Sequence, residues 1–241
     1  MSHKILILGA SSDMGMALIQ AIDGNYDEII CHYHSSDKAL LELQKTLKTP
    51  LKMIQADFSS VESTKALTDQ IALISDLKAV VHFPSVKLDP KAFRKTSWAD
   101  TQTLIDVSVR SAYEVLKAIL PAMTKARSGK IVFVLSSVTS GPSPAFMNGY
   151  VTSKYALLGL MKSLAAEMAP YQVCLNAVSP SLVETRFVSE LPELTIALSA
   201  DHNPMKRNAK LEDIIPSIKF LLSDEAGFIS GQNIVISGGE H

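Results

Sequence analysis

Apolar residues along this chain gather in seven short runs: KILIL (4–8), EIICHY (28–33), LKMIQA (51–56), KAVVHF (78–83), KIVFVLS (130–136), VCLNAVS (173–179) and NIVIS (233–237). Their length and lack of strict alternation predict strands buried on both faces. Between them, apolar positions recur every three or four residues, which predicts amphipathic helices over 14–22, 37–48, 61–75, 98–127, 149–168 and 211–223. The longest of these places Leu104, Ile105, Val109, Ala112, Leu116, Ile119, Leu120 and Met123 along one face. Regular strand–helix alternation implies an α/β fold: a doubly wound, seven-stranded parallel sheet with helices on both faces, in a single domain over 1–241. In such sheets ligands bind beyond the carboxyl ends of the strands, where strand order reverses. That directs attention to 9–15, 33–36, 57–58, 82–86, 136–137 and 180–186. Residues 181–210 contain no clear strand and are expected to form a substrate loop or lid.

Composition narrows the picture. A chain of 241 residues with 47% hydrophobic content suffices for one large core. The net charge is -1, without any run of five like charges, which argues against nucleic acid as a partner. No stretch is long and apolar enough to span a membrane, and the first residues do not read as a secretory leader, so a cytoplasmic protein is expected. Cys31 and Cys174 lie in strand-like runs and are expected to be buried thiols. His32 and His34 share a strand face, but no third ligand stands at a suitable spacing, so no metal site is expected.

Two stretches carry chemistry. GASSDMG (9–15) links the first strand to a helix. Backbone N–H groups from Gly9, Ser11, Ser12, Asp13, Met14 and Gly15 would face a dinucleotide's phosphates there, although an ordinary turn has the same composition. The second stretch is SSVTSGPSPAFMNGYVTSKYALLGL (136–160). Tyr150 and Lys154 share a helical face, and Ser137 lies thirteen residues before the tyrosine, at a strand end. A phenol ionises near about pH 10, and an adjacent ammonium is expected to lower that value. Tyr150 would then exchange a proton with a carbonyl or alcohol oxygen that Ser137 polarises.

With these stretches stand ADF (56–58), GKIVFVLSS (129–137), NAVSPSLVETRF (176–187) and GFISGQNIVISGG (227–239). Together they resemble, from end to end, the short-chain dehydrogenase/reductase family, with its Rossmann-type fold, nearest in style to 3-oxoacyl-[acyl-carrier-protein] reductases. The resemblance implies hydride transfer between a nicotinamide cofactor and a carbonyl or alcohol. It makes Tyr150 the acid/base, Lys154 the modulator of Tyr150 and ligand of the nicotinamide ribose, and Ser137 the group orienting the substrate oxygen. It places Asp57 at the adenine with Phe58 beside it, Pro180 at the ring wall, and Val183 and Thr185 at the carboxamide. It also implies a homo-oligomer, a tetramer or dimer, packed through 98–127 and 149–169.

The chain departs from the family pattern at four places. Asp13 replaces a glycine of the first loop; HFPS (82–85) replaces Asn-Asn-Ala-Gly; Ser108 stands for a catalytic asparagine that holds a relay water; Ser181 follows Pro180 where glycine is usual. Pro84 and Ser85 can still offer backbone to the cofactor ribose. Ser181 asks more of the backbone if positive φ is needed there. Asp13 is expected to cap the following helix, its carboxylate turned onto helix N–H groups. Otherwise it would repel a diphosphate by on the order of 1–3 kcal/mol.

The second strand ends in HYHSSDK without an acid at its tip; His34, Ser35 and Ser36, with Lys38 nearby, suit a ribose 2′-phosphate. NADP(H) is therefore favoured over NAD(H). The substrate, a ketone or acyl thioester, is expected to contact 86–97, 138–148 and 181–210, with Phe146, Met147 and Met205 forming an apolar wall. The four departures motivate an alternative: a cofactor-binding relative with little turnover, acting as a sensor or structural subunit.

Overall fold

The computed structural model describes residues 3–240. Seven strands form one parallel sheet: β1 (Lys4–Leu8), β2 (Glu28–Tyr33), β3 (Leu51–Gln55), β4 (Leu77–His82), β5 (Gly129–Val134), β6 (Val173–Pro180) and β7 (Asn233–Ile236). Each expected strand is present, with ends displaced by no more than two residues. The spatial order is β3-β2-β1-β4-β5-β6-β7. The chain winds outward from β1 to β3, then crosses back to lay β4 against the other side of β1. The switch point therefore lies between the carboxyl ends of β1 and β4.

Side chains alternate across the sheet into two cores. Leu6, Leu8, Ile30, Val80, Ile131 and Phe133 face one layer. That layer is built from α3 (Val61–Ile71), α5 (Ser111–Ala126) and α6 (Asn148–Met168). Ile5, Ile7, Ile29, Cys31, Val81 and Val132 face the other. That layer contains α1 (Asp13–Ala21), α2 (Lys38–Gln44) and α8 (Leu211–Leu222). Each fully buried Leu or Ile contributes roughly 1.5–3 kcal/mol before chain entropy is counted. Cys31 and Cys174 are buried free thiols. Among the described residues no helix is long and apolar enough to cross a membrane.

Two elements differ from the sequence pattern. The expected helix over 98–127 is α4 (Trp98–Ile105) followed by α5, joined through one π turn at Asp106–Arg110. Apolar periodicity does not register a turn widened by one residue, a feature frequent at functional sites. Within 181–210 lies α7 (Glu193–His202), which begins after Pro192 and buries none of its side chains, so it has no apolar stripe to reveal it. Docking comes from side chains outside it: Asn208 Nδ2 donates to Ile196 O at 3.0 Å, and Asn203 Nδ2 to Ser237 O at 2.8 Å.

Gly15 packs α1 against the end of β1. A Cβ there would lie 2.6 Å from Ala10 O and 2.8 Å from both Ala10 Cα and Gly9 O. These are backbone atoms that cannot yield cheaply. Gly15→Ala is expected to cost roughly 1–3 kcal/mol, read as a lower urea midpoint. An unchanged midpoint would refute the close packing.

Candidate active site

The turn after β1 begins with Gly9 at φ +76°, a left-handed conformation that glycine adopts without a steric penalty. Its amide donates to His32 Nδ1 at 3.0 Å. Because Nδ1 accepts, the ring proton is on Nε2 and donates to Ala56 O at 3.1 Å. Phe58 stacks on the same ring with centroids 4.2 Å apart. One neutral imidazole thus ties together the carboxyl ends of β1, β2 and β3. Burial pushes its pKa down to about 4.

Ser12, not Asp13, caps α1. Its Oγ accepts from the Gly15 amide at 3.1 Å and donates to Gly9 O at 2.7 Å. Asp13 is the first helical residue, and its carboxylate faces Arg186 instead of the helix amides. The Arg186 backbone N–H donates to Oδ2 at 2.7 Å and its Nε to Oδ1 at 2.5 Å. The serine already serves the capping amide, and the guanidinium offers the stronger charge-assisted bonds. Among the described residues the N–H groups of Asp13 and Met14 have no acceptor, as expected in a first helical turn. The turn therefore fits a diphosphate at a helix N-terminus, with Asp13 neutralised from the side.

At the tip of β2, His34, Ser35 and Ser36 are exposed. Asp57 Oδ1 accepts from the Ser59 amide at 2.8 Å and from Ser59 Oγ at 2.7 Å. Those bonds hold its pKa below the usual carboxylate range. His34 Nε2 lies 3.7 Å away. The turn and Asp57 therefore form one polar rim. Phe58 departs from its expected place: its side chain is 4% exposed and belongs to the core, which leaves only its backbone for an adenine.

Across the switch point, β5 leads through Ser136 into a short turn at Ser137–Thr139. Tyr150 is in the first turn of α6 and Lys154 one turn later. Lys154 Nζ sits 5.5 Å from the Tyr150 ring centroid and donates to Val134 O at 3.0 Å. Lys154 is 3% exposed, and burial lowers its pKa to about 8. The ammonium was expected to lower the phenol's pKa. Burial instead pushes Tyr150 up to about 12, with the Ser136 hydroxyl pulling partly back. Sequence reasoning singled out Ser137, which is buried nearby; it passed over Ser136.

Ser108 sits fully buried in the π turn, its Oγ donating to Pro84 O at 3.4 Å. This joins two of the departures from the family pattern, with Ser85 next in the chain. A third neighbour is His82, also buried. Ser111 Oγ donates to Val107 O at 2.6 Å and so accepts from His82 Nε2 at 3.1 Å. The His82 Nδ1 lone pair therefore lacks a donor among the described residues. Burial first, then the charge of Lys154, pushes this histidine's pKa down to about 3.

The segment after β6 crosses the cleft. Pro180 ends the strand, Ser181 donates its amide to Ile236 O at 3.0 Å, and the positive-φ residues do not include Ser181. Serine is thus tolerated without left-handed strain. Val183 pairs with Ala209, and Thr185 Oγ1 donates to Val183 O at 3.3 Å. Beyond them Arg186 holds Asp13, the Phe187 ring lies 6.4 Å from that of Tyr150, and Glu190 pairs with Lys87. Beside Tyr150 opens a cleft of about 180 Å³ with a mixed lining: Val86, Leu88, Leu104, Phe146 and Met147 together with the charged Lys87, Asp89, Lys91 and Asp100. Met205 does not join this wall; it lines a separate hollow with Ser181, Ile236 and Gly238.

The sequence family described as Enoyl-(Acyl carrier protein) reductase matches residues 9–241. Among similar curated proteins, an uncharacterized oxidoreductase, YmfI, of Bacillus subtilis is 29% identical over 100% of both chains. The 3-oxoacyl-[acyl-carrier-protein] reductase FabG of Staphylococcus epidermidis is 26% identical over 99% of both. A crystal structure of a 3-oxoacyl-[acyl-carrier protein] reductase with bound NAD from Brucella melitensis superposes with a TM-score of 0.86. It is 25% identical and covers 98% of this chain and 90% of that one.

His32 and His82 have ordinary values near 6.5 when unfolded but about 4 and about 3 when folded. Below pH ~6.5 the unfolded chain therefore binds protons that the native chain refuses. Stability present above that pH is lost as pH falls, by about 1.4 kcal/mol per pH unit for each histidine. Urea unfolding between about pH 7 and pH 5 should show this slope, and His82→Asn should make it shallower. Equal slopes in both proteins would contradict the burial of a neutral His82.

Proposed function

The chain belongs to the short-chain dehydrogenase/reductase family of NAD(P)-dependent oxidoreductases, and we propose that it reduces a ketone or 3-oxoacyl-type carbonyl with NADPH. One observation carries the reading: Lys154 Nζ sits 5.5 Å from the ring centroid of Tyr150, which lines the cleft with Val86 and Phe146. A carbonyl becoming an alkoxide needs a proton donor, and a protonated phenol at neutral pH is one. The bound cofactor supplies the hydride. Tyr150 gives the proton to the substrate oxygen, with the Ser136 and Ser137 hydroxyls beside it to orient that oxygen. Lys154 keeps a positive charge next to the phenol and serves the ribose hydroxyls. Gly9 and the first turn of α1 take the diphosphate, Asp57 the adenine, and Pro180, Val183 and Thr185 the nicotinamide side. Ser108, Pro84 and Ser85 form the wall behind.

Preference for NADP(H) rests on His34, Ser35, Ser36 and Lys38, exposed at a strand tip without an acid before Asp37. An acyl thioester suits the apolar part of the cleft beside Tyr150, formed by Val86, Leu88, Leu104, Phe146 and Met147, with Lys87, Asp89, Lys91 and Asp100 completing the lining. Trp98, Tyr113 and Tyr155 are 72%, 53% and 43% exposed on α4, α5 and α6, which supports packing of these helices against a second copy.

Tyr150→Phe should lower the rate of NADPH-dependent reduction of a 3-oxoacyl thioester by about 10²–10⁴ while NADPH affinity is kept. Wild-type turnover no greater than that of the Phe variant would leave a cofactor-binding protein without catalysis. With Lys154 lowered to about 8, kcat/KM for reduction should hold below that pH and fall above it as the ammonium is lost. A profile flat to about pH 10 would contradict this. Light scattering should give a mass at least twice the 26.1 kDa of the chain; a monomer would reject the packing.

A further inference from the structure

We propose that Arg186 is a ligand of the cofactor's diphosphate and that its guanidinium also offsets the charge of Asp13, the two forming a charge-compensated clasp across the cofactor cleft. The inference rests on the reading of this cleft as an NAD(P) site. Asp13 belongs to the same first turn of α1 whose free amides suit the diphosphate, so an uncompensated carboxylate there would work against binding. The structure brings a guanidinium to that carboxylate from 173 residues away. The guanidinium is held twice, by Nε on Asp13 and Nη2 on Ser11 O at 3.0 Å, and the Arg186 backbone N–H adds a third bond to Asp13.

A guanidinium has five N–H donors in a rigid plane. Nε and one Nη2 hydrogen are used, which leaves the Nη1 pair and the second Nη2 hydrogen. The side chain is 67% exposed, so these donors are not sealed in the core. They stand beside the loop that receives the phosphates. Planar, bidentate recognition of phosphate oxygens is the chemistry for which arginine is suited.

The neighbouring contacts agree. Arg186, Phe187 and Glu190 fall in consecutive turns, linked by Val188 N to Thr185 O at 3.1 Å and Leu191 N to Val188 O at 3.0 Å. That short segment is pinned to α1 through Asp13 and to the loop after β4 through the Lys87–Glu190 pair. Between the pins the Phe187 ring stands 6.4 Å from that of Tyr150, tilted by 40°. The clasp thus sets the position of the strap above the reacting end of the cleft.

Calorimetric titration with NADPH tests the clasp by the sign of four variants. Arg186→Gln leaves Asp13 bare and should weaken binding about tenfold or more. Asp13→Asn frees the guanidinium and should tighten binding about three- to tenfold. The double variant should return to within about threefold of wild type, and Arg186→Lys should retain most of the affinity. Adenosine 2′-monophosphate, which has no diphosphate, should bind wild type and Arg186→Gln alike. Melting temperatures establish that each variant is folded. Arg186→Gln without effect on NADPH would overturn the clasp, as would Arg186→Gln and Asp13→Asn shifting affinity in the same direction, or adenosine 2′-monophosphate losing as much as NADPH. Wild-type protein that binds neither NADPH nor NADH would instead remove the cofactor reading itself.

Discussion

The hydrogen bond from the Gly9 amide to the His32 ring fixes the turn after β1, where the cofactor is proposed to bind. A glycine turn leaves its amide pointing away from the sheet ladder, and a buried amide without a partner is costly. His32 supplies the partner and passes the constraint onward through Ala56 O and Phe58. The first loop, the end of β2 and the end of β3 are thereby tied together. Because β4 returns beside β1, Phe83 comes against Gly9, within 3.3 Å of a Cβ placed there, and the His82–Ser85 stretch inherits its position from the same turn.

Polar groups buried behind the cleft carry the next layer of constraint. Lys154, His82, Ser108 and Ser111 are all buried around the π turn. Burial disfavours each charged form, which lowers the lysine and the histidine and raises the neighbouring phenol. The phenol stays neutral and the lysine protonated near neutral pH. The four departures from the family pattern fall around this arrangement without dismantling it. Ser108 keeps a hydroxyl on Pro84 O, Ser181 avoids left-handed backbone, His82 finds Ser111, and Asp13 finds Arg186.

Much of this was legible in the sequence, for local reasons. Seven apolar runs separated by amphipathic periods leave a doubly wound sheet as the natural solution, and the spacing of Ser137, Tyr150 and Lys154 brings them to one end of it. What escaped is long-range or lacks a periodic sign. Arg186 is an ordinary exposed arginine until the fold places it on Asp13. His32 draws notice in the sequence only as a metal-ligand candidate beside His34, whereas in the fold its ring takes the Gly9 amide. Ser136 and Ser137 are adjacent, and only the backbone path decides which hydroxyl meets the phenol. Phe58 follows Asp57 directly, yet core packing takes its ring away from the rim. Helix α7 buries no side chain and so writes no stripe.

Calorimetric titration of the unmodified protein with NADPH and, separately, NADH bears most directly on the claim that this turn and strand tip form a working cofactor site. Tighter binding of NADPH than of NADH is expected, from the acid-free tip at His34–Ser36 and the compensated charge at Asp13. Tighter binding of NADH would contradict the assignment of the strand tip, and binding of neither would contradict the site as a whole.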